Sequence, residues 1–168
     1  MASSVLVGYA TQYGSTQEVA EAIGATLREN GLAVDIEPVR EVRDLEGYTA
    51  IVLGAPLMAG HWHKDALTFL KKHRQALTER PVAVFALGPI KDPRDEEEWQ
   101  SSRAQLDKQA AEFPWLAPAA FELFGGKFDP AKLRFPLNKL AAKQPASDAR
   151  DWTAIRDWAV GLKPILDV

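Results

Sequence analysis

The 168-residue chain has no cysteine. Disulfides, thiolate catalysis, iron–sulfur clusters and cysteine-ligated zinc are therefore excluded. Histidine is scarce, at three residues, and the acidic residues fall at no recognisable metal-ligand spacing. No apolar run approaches the roughly 20 residues that a membrane-spanning helix needs. The opening Met1-Ala2-Ser3-Ser4 has neither a basic region nor an apolar signal core, so the expected location is cytoplasmic. Net positive charge is also missing. A balance of −3 argues against a nucleic-acid binder that relies on general phosphate attraction, and no nucleic-acid partner is expected.

Apolar residues make up 46% of the chain, enough for a globular core, and the length suits one domain spanning 1–168. Strand and helix signals alternate along it. The strand candidates are Val5–Tyr9, Ala33–Val39, Ala50–Ala55, Val82–Leu87 and Ala119–Phe124. Four are short apolar runs bounded by Gly or Pro, as buried parallel strands read. The second alternates Val34 and Ile36 with charges, as an edge strand does. Helices fit between them. Val19, Ile23 and Leu27 recur every four residues and Gly31 stands where that helix would stop. Lys64–His73 and Glu96–Phe113 read as two more, and Trp152, Ile155, Ala159 and Leu162 as a last apolar stripe ending before Pro164. This β-α-β-α order predicts an α/β doubly wound parallel sheet with helices on both faces. In such sheets ligands bind at the carboxyl ends of the strands. The loops Thr11–Thr16, Pro56–His63 and Gly88–Asp92 should then converge.

The first of these loops carries the chemistry. Thr11-Gln12-Tyr13-Gly14-Ser15-Thr16 joins a strand to a helix, and it packs three aliphatic hydroxyls and a glycine into six residues. A helix start presents unpaired N–H groups and the positive end of the helix dipole, so it can hold a phosphate. The hydroxyls add donors, and Gly14 lets the backbone turn closely. The loop has no lysine or arginine, no G-x-x-x-x-G-K-[ST] and no G-x-G-x-x-G. Neutral donors alone suit a monophosphate. Ser15-Thr16-Gln17-Glu18 also reads as a capping box, which needs no ligand.

The segment Y-A-T-Q-Y-G-S-T-Q-E-V-A resembles the FMN phosphate loop of flavodoxins. Gly60-His61-Trp62-His63 with Phe69-Leu70-Lys71-Lys72-His73 resembles the menaquinone-dependent protoporphyrinogen IX dehydrogenase branch of that group. Phe124-Gly125-Gly126-Lys127-Phe128-Asp129 and Arg150-Asp151-Trp152 are similar to other segments of it. The resemblance implies a flavodoxin-like three-layer sandwich with a five-stranded sheet in the order 2-1-3-4-5, and FMN as cofactor. It implies that Thr11, Gln12, Tyr13, Gly14, Ser15 and Thr16 hold the phosphate. Pro56, Leu57, Met58, Ala59, Gly60 and Trp62 would flank one face of the isoalloxazine, and Gly88, Pro89, Ile90 and Lys91 would approach from the other side. Two uses of the flavin compete: oxidation of a bulky substrate with electrons passed to a quinone, or electron transfer to a docked redox protein.

His61 and His63 are the candidate proton donors beside the flavin, against the plainer reading that they cap the helix starting at Lys64. Asp95-Glu96-Glu97-Glu98 reads as an acidic helix start, favoured by the dipole alone. The stretch 127–150 carries six basic against two acidic residues, interleaved with Phe128, Leu133, Phe135, Leu137 and Leu140. It is expected as an irregular insertion, and as a face for a partner or for weak contact with a membrane surface. In the dehydrogenase branch this insertion is longer and more hydrophobic; here Pro130, Pro136 and Pro145 break it.

Overall fold

The computed structural model describes residues 4–11, 14–58, 61–88, 95–128, 136, 139 and 147–167. The elements in chain order begin with β1 (Ser4–Tyr9), α1 (Ser15–Glu29) and β2 (Ala33–Pro38), followed by a 3-10 turn at Val39–Glu41. Next come β3 (Ala50–Met58), β4 (His61–Trp62), α2 (Lys64–Lys72), α3 (Arg74–Thr78) and β5 (Val82–Leu87). The chain continues through α4 (Glu96–Ala110), β6 (Ala120–Phe124), β7 (Lys127–Phe128), β8 (Ser147–Asp148) and α5 (Trp152–Leu166).

The main sheet runs β2-β1-β3-β5-β6, and these neighbours are all parallel. Counting only these strands, this is the 2-1-3-4-5 order expected from the sequence. The numbering shifts because β4 returns antiparallel on β3, pairing Leu57 with Trp62 and Met58 with His61. Alternation along each strand divides the apolar side chains between two faces. Val5, Val7, Val52 and Phe85 pack with Val19, Ile23 and Leu27 of α1 and with Ile155, Ala159 and Leu162 of α5. Leu6, Ile51, Leu53 and Val84 pack with Phe69 and Leu70 of α2, Leu77 of α3 and Leu106 of α4. Two apolar layers therefore sit on one sheet, and β1, β3 and β5 are buried on both sides.

Two helix ends differ from the sequence expectation. The helix beginning at Lys64 breaks at His73, and Arg74–Thr78 forms the separate α3, fastened by Leu77 in the core. The last helix continues through Pro164 to Leu166. Proline there leaves the carbonyl of Val160 without its helical donor, but Val160 is 48% exposed, so water can serve it. Leu166, fully buried, holds the final turn against the core. Among the described residues no helix is long and apolar enough to cross a membrane, and no acidic or histidine cluster could hold a metal ion.

The chain leaves β1 through α1 to reach β2 on one side, then crosses to β3 on the other. The loops after β1 and β3 therefore part at the carboxyl ends of adjacent strands, the topological position of the ligand crevice in such sheets. Ala10 N–H donates to the Gly54 carbonyl at 2.9 Å, so the two strands stay joined up to its edge.

Candidate functional site

The first loop makes one wall of the crevice. Gly14 occupies the N-cap position of α1 with φ 91°, a left-handed conformation that favours glycine. Its N–H donates to Thr11 Oγ1 at 2.9 Å, which closes the turn and leaves the Thr11 proton available to a further acceptor. With Gly14 at the cap, Ser15 is already the first helical residue, and among the described residues no side chain caps the helix. The capping box is therefore not formed. Glu18 N–H bonds the Gly14 carbonyl at 3.2 Å, and the Glu18 carboxylate turns aside to Arg150. Among the described residues the start of α1 thus keeps its polarity without a side-chain cap.

Thr16, in that open first turn, is fully buried, and among the described residues its Oγ1 has no hydrogen-bond partner. An unpartnered buried hydroxyl costs about 1–3 kcal/mol, so it calls for a ligand or another explanation. A Cβ built on Gly14 meets nothing within 4 Å, so the space around that turn is open. These features fit a small anion held by neutral donors. Gln12 and Tyr13 lie outside the described residues.

The second loop is an extension of β3. Beyond the sheet, Pro56, Leu57 and Met58 are half-buried, and β4 brings the chain back with His61 exposed. Ala59 and Gly60 lie outside the described residues. Trp62 turns inward instead. It is 4% exposed, its indole Nε1–H donates to the Ala55 carbonyl at 2.9 Å, and its backbone N–H reaches Gln109 Oε1 at 3.3 Å. Its ring packs in the core with Leu70 and Leu106. Trp62 thus braces the loop from behind rather than offering an open stacking surface.

His63 is the N-cap of α2. Its Nδ1 accepts from Asp65 N–H at 3.0 Å, which places the proton of the neutral ring on Nε2. Burial holds its pKa below the ordinary histidine value, with the Asp65 carboxylate pulling the other way. The capping role weighed in the sequence is the one the structure gives His63, whereas His61 remains at the surface beside the crevice.

In the third loop, Gly88 is half-buried and donates to the Phe124 carbonyl at 2.8 Å. Pro89, Ile90 and Lys91 lie outside the described residues. Asp95 caps α4, its Oδ1 accepting from Glu98 N–H at 3.1 Å, so the acidic run there is a helix start as expected.

Sequence reasoning missed Arg150. Its side chain is 3% exposed and reaches the first turn of α1, with Nη1 donating to the Ser15 carbonyl at 3.3 Å and standing 3.7 Å from Glu18 Oε2. Asp148 holds the guanidinium by two bonds, at 2.9 and 2.8 Å, and the Trp152 ring lies 4.7 Å away. The hydrogen-bonded Arg150 holds the Asp148 carboxyl below its usual value, and the pair raises the guanidinium in turn, so both stay charged near neutrality. The first loop is neutral in sequence, yet a cation stands beside it in space. In the sequence, Arg150-Asp151-Trp152 stands out only for its similarity to a segment of the flavodoxin group, with no role for the guanidinium.

Comparison with known proteins agrees with this architecture. The flavodoxin domain profile matches residues 6–144. Over 87 residues the chain is 31% identical to protoporphyrinogen IX dehydrogenase (quinone) of Escherichia coli strain K12, covering 51% of this chain and 48% of that protein. The matched part spans about half the length of the curated relatives. Among solved structures, oxidised flavodoxin 1 of Bacillus cereus superposes with a TM-score of 0.61 at 17% identity, covering 98% of this chain and 100% of that one. A Fusobacterium nucleatum flavodoxin variant bound to flavin mononucleotide superposes with a TM-score of 0.56 at 15% identity, covering 99% of each chain. Sheet order, loop placement and a profile match running from β1 past β6 lead to one conclusion: the chain belongs to the flavodoxin domain family.

Proposed function

We propose that the chain is an FMN-binding, flavodoxin-like oxidoreductase, with the cofactor phosphate at the open start of α1. The observation that carries this reading is the buried hydroxyl of Thr16, without a partner among the described residues, in a helix start that none of their side chains caps. Donors there are the first N–H groups of α1 and the hydroxyls of Thr11, Ser15 and Thr16. They are neutral and few, which suits a monophosphate. When bound, FMN supplies the redox chemistry by taking up and releasing electrons with protons.

The protein holds and shields the group. Pro56, Leu57 and Met58 give an apolar wall on one side, and Gly88 opens the third loop on the other. The five remaining loop positions expected from the sequence (Gln12, Tyr13, Pro89, Ile90 and Lys91) and the tip Ala59-Gly60 belong to the same proposal. Trp62 fixes the second loop through its bond to Ala55, and His63 fixes the start of α2. His61, exposed at the loop edge, is the imidazole placed to exchange protons with solvent.

The reaction partner is a quinone or a redox protein. The 31% identity to a quinone-dependent dehydrogenase favours the quinone, with a bulky reduced substrate as donor. The full-length superposition on a Bacillus cereus flavodoxin favours a carrier that docks other redox proteins. The basic and apolar stretch 127–150 would serve either as a docking face or as a membrane-surface contact. Steady-state turnover with a soluble quinone and a porphyrinogen donor tests the choice. Turnover supports the enzyme, whereas reduction and reoxidation only through a partner redox protein supports the carrier.

A further inference from the structure

One charge cluster is not absorbed by the loop chemistry. Arg150 lies 135 residues from Ser15 in sequence and touches it in space. It is fixed from every side. Gly125 lets the chain after β6 pass so close to Ala149 that a Cβ on Gly125 would clash with the Ala149 carbonyl oxygen. Ala149 N–H donates to the Gly126 carbonyl at 2.8 Å, and β7 pairs with β8 through Lys127 with Asp148 and Phe128 with Ser147. Asp151, the next residue, caps α5 by accepting from Ala154 N–H at 3.0 Å. The guanidinium is thus carried to the start of α1 by a junction of β6, the β7–β8 ribbon and α5, not by a swinging surface side chain.

We infer that Arg150 is a positioning residue for the cofactor phosphate: it offsets the negative charge that Asp148 and Glu18 would otherwise present beside the first loop, and the balance among the three sets the field the phosphate feels. The inference rests on the FMN reading above. Arg150 makes no contact with the phosphate in this scheme. It lies within about one helical turn, roughly 5.4 Å, of the helix start, inside the Debye length of about 8 Å at physiological ionic strength. Counting the two carboxylates that contact it, the cluster carries a formal charge of −1. Without Arg150 the same cluster would present −2 to a phosphate dianion. With one of the two carboxylates neutralised it would present 0.

The charge count separates this role from a purely structural one. Arg150→Gln, Asp148→Asn and Glu18→Gln each break a bond of the same cluster. If the cluster only ties the ribbon to α1, all three weaken FMN binding or leave it unchanged. If it acts through charge, the variants move in opposite directions. Fluorescence-quenching titrations of the purified full chain with FMN and with riboflavin, at low and high salt, provide the readout. Arg150→Gln should weaken FMN binding about three- to tenfold, and Asp148→Asn and Glu18→Gln should each tighten it by a similar factor. High salt should compress the series, and riboflavin, which has no phosphate, should bind all four proteins alike. Glu18 is half-exposed, so Glu18→Gln keeps the test alive should Arg150→Gln fold poorly. Equal FMN affinity across the series, or parallel losses for FMN and riboflavin, overturns the inference. Failure of the unmodified chain to bind FMN overturns the function reading instead.

Discussion

Thr16→Val separates the two things the Thr16 hydroxyl does, because they have opposite signs. Valine keeps the β-branched shape and a similar helix propensity, so packing at this fully buried position is preserved. What is removed is an oxygen with no partner among the described residues. In the cofactor-free protein that removal should stabilise, because an unpaired buried hydroxyl costs about 1–3 kcal/mol. A gain near 1 kcal/mol corresponds to a rise of about 2–4 °C in Tm for a chain of this size. In the proposed FMN complex the same hydroxyl would donate to the phosphate. A hydrogen bond to a charged group contributes about 1.5–3 kcal/mol, so FMN affinity should fall about 10- to 150-fold. Differential scanning calorimetry without cofactor and isothermal titration with FMN give both numbers. A higher Tm together with a weaker Kd is the expected pair. A lower Tm would mean that the hydroxyl already has a partner in the free protein. An unchanged Kd would move the phosphate away from α1.

Two further outcomes follow from the same geometry. Trp62→Phe deletes the indole bond to the buried Ala55 carbonyl and leaves space in the core, so urea unfolding should show a loss of about 2–4 kcal/mol; FMN affinity should change by less than about threefold, since the ring is a brace and not a stacking surface. The pKa values of His63 and His73 are both depressed, chiefly by burial, from 6.5. The unfolded chain then binds more protons than the folded one between the depressed and ordinary values. The stability they contribute is fully present above pH 6.5 and is lost as pH falls through the folded-state values. Urea midpoints measured from pH 8 to 5 should drop below about 6.5, and the drop should shrink in His63→Asn, which keeps a capping oxygen. A midpoint independent of pH over that window would contradict the buried, neutral state of both rings.

The sheet was legible because its strands are buried on both faces. Val5–Tyr9, Ala50–Ala55 and Val82–Leu87 are short, continuous apolar runs, as central strands buried on both faces use. The extension of β3 to Met58 and its return as β4 were not legible, because a two-residue strand has no period to read. The end of α5 was misplaced because Pro164 is a local stop signal, whereas the burial of Leu166 is a tertiary fact. The first loop was found from its hydroxyls, but its cap was misassigned. S-x-x-E specifies a capping box only if serine takes the cap, and the left-handed Gly14 takes it instead. Trp62 read as a flavin neighbour from its place in the second loop; which way its ring turns depends on Ala55 and Gln109, which are remote or on another strand. Arg150 was hidden for the clearest reason. Its contact with Ser15 closes a separation of 135 residues, and no local pattern encodes that.

The central claim is that the open start of α1 holds the phosphate of FMN, and direct titration of the cofactor-free chain tests it most simply. Flavin fluorescence should be quenched at one FMN per chain, with the bound protein yellow and with riboflavin binding at least about tenfold more weakly than FMN, the value of one charge-assisted bond. A chain that stays colourless and leaves FMN fluorescence unquenched, or that binds riboflavin as tightly as FMN, would contradict it.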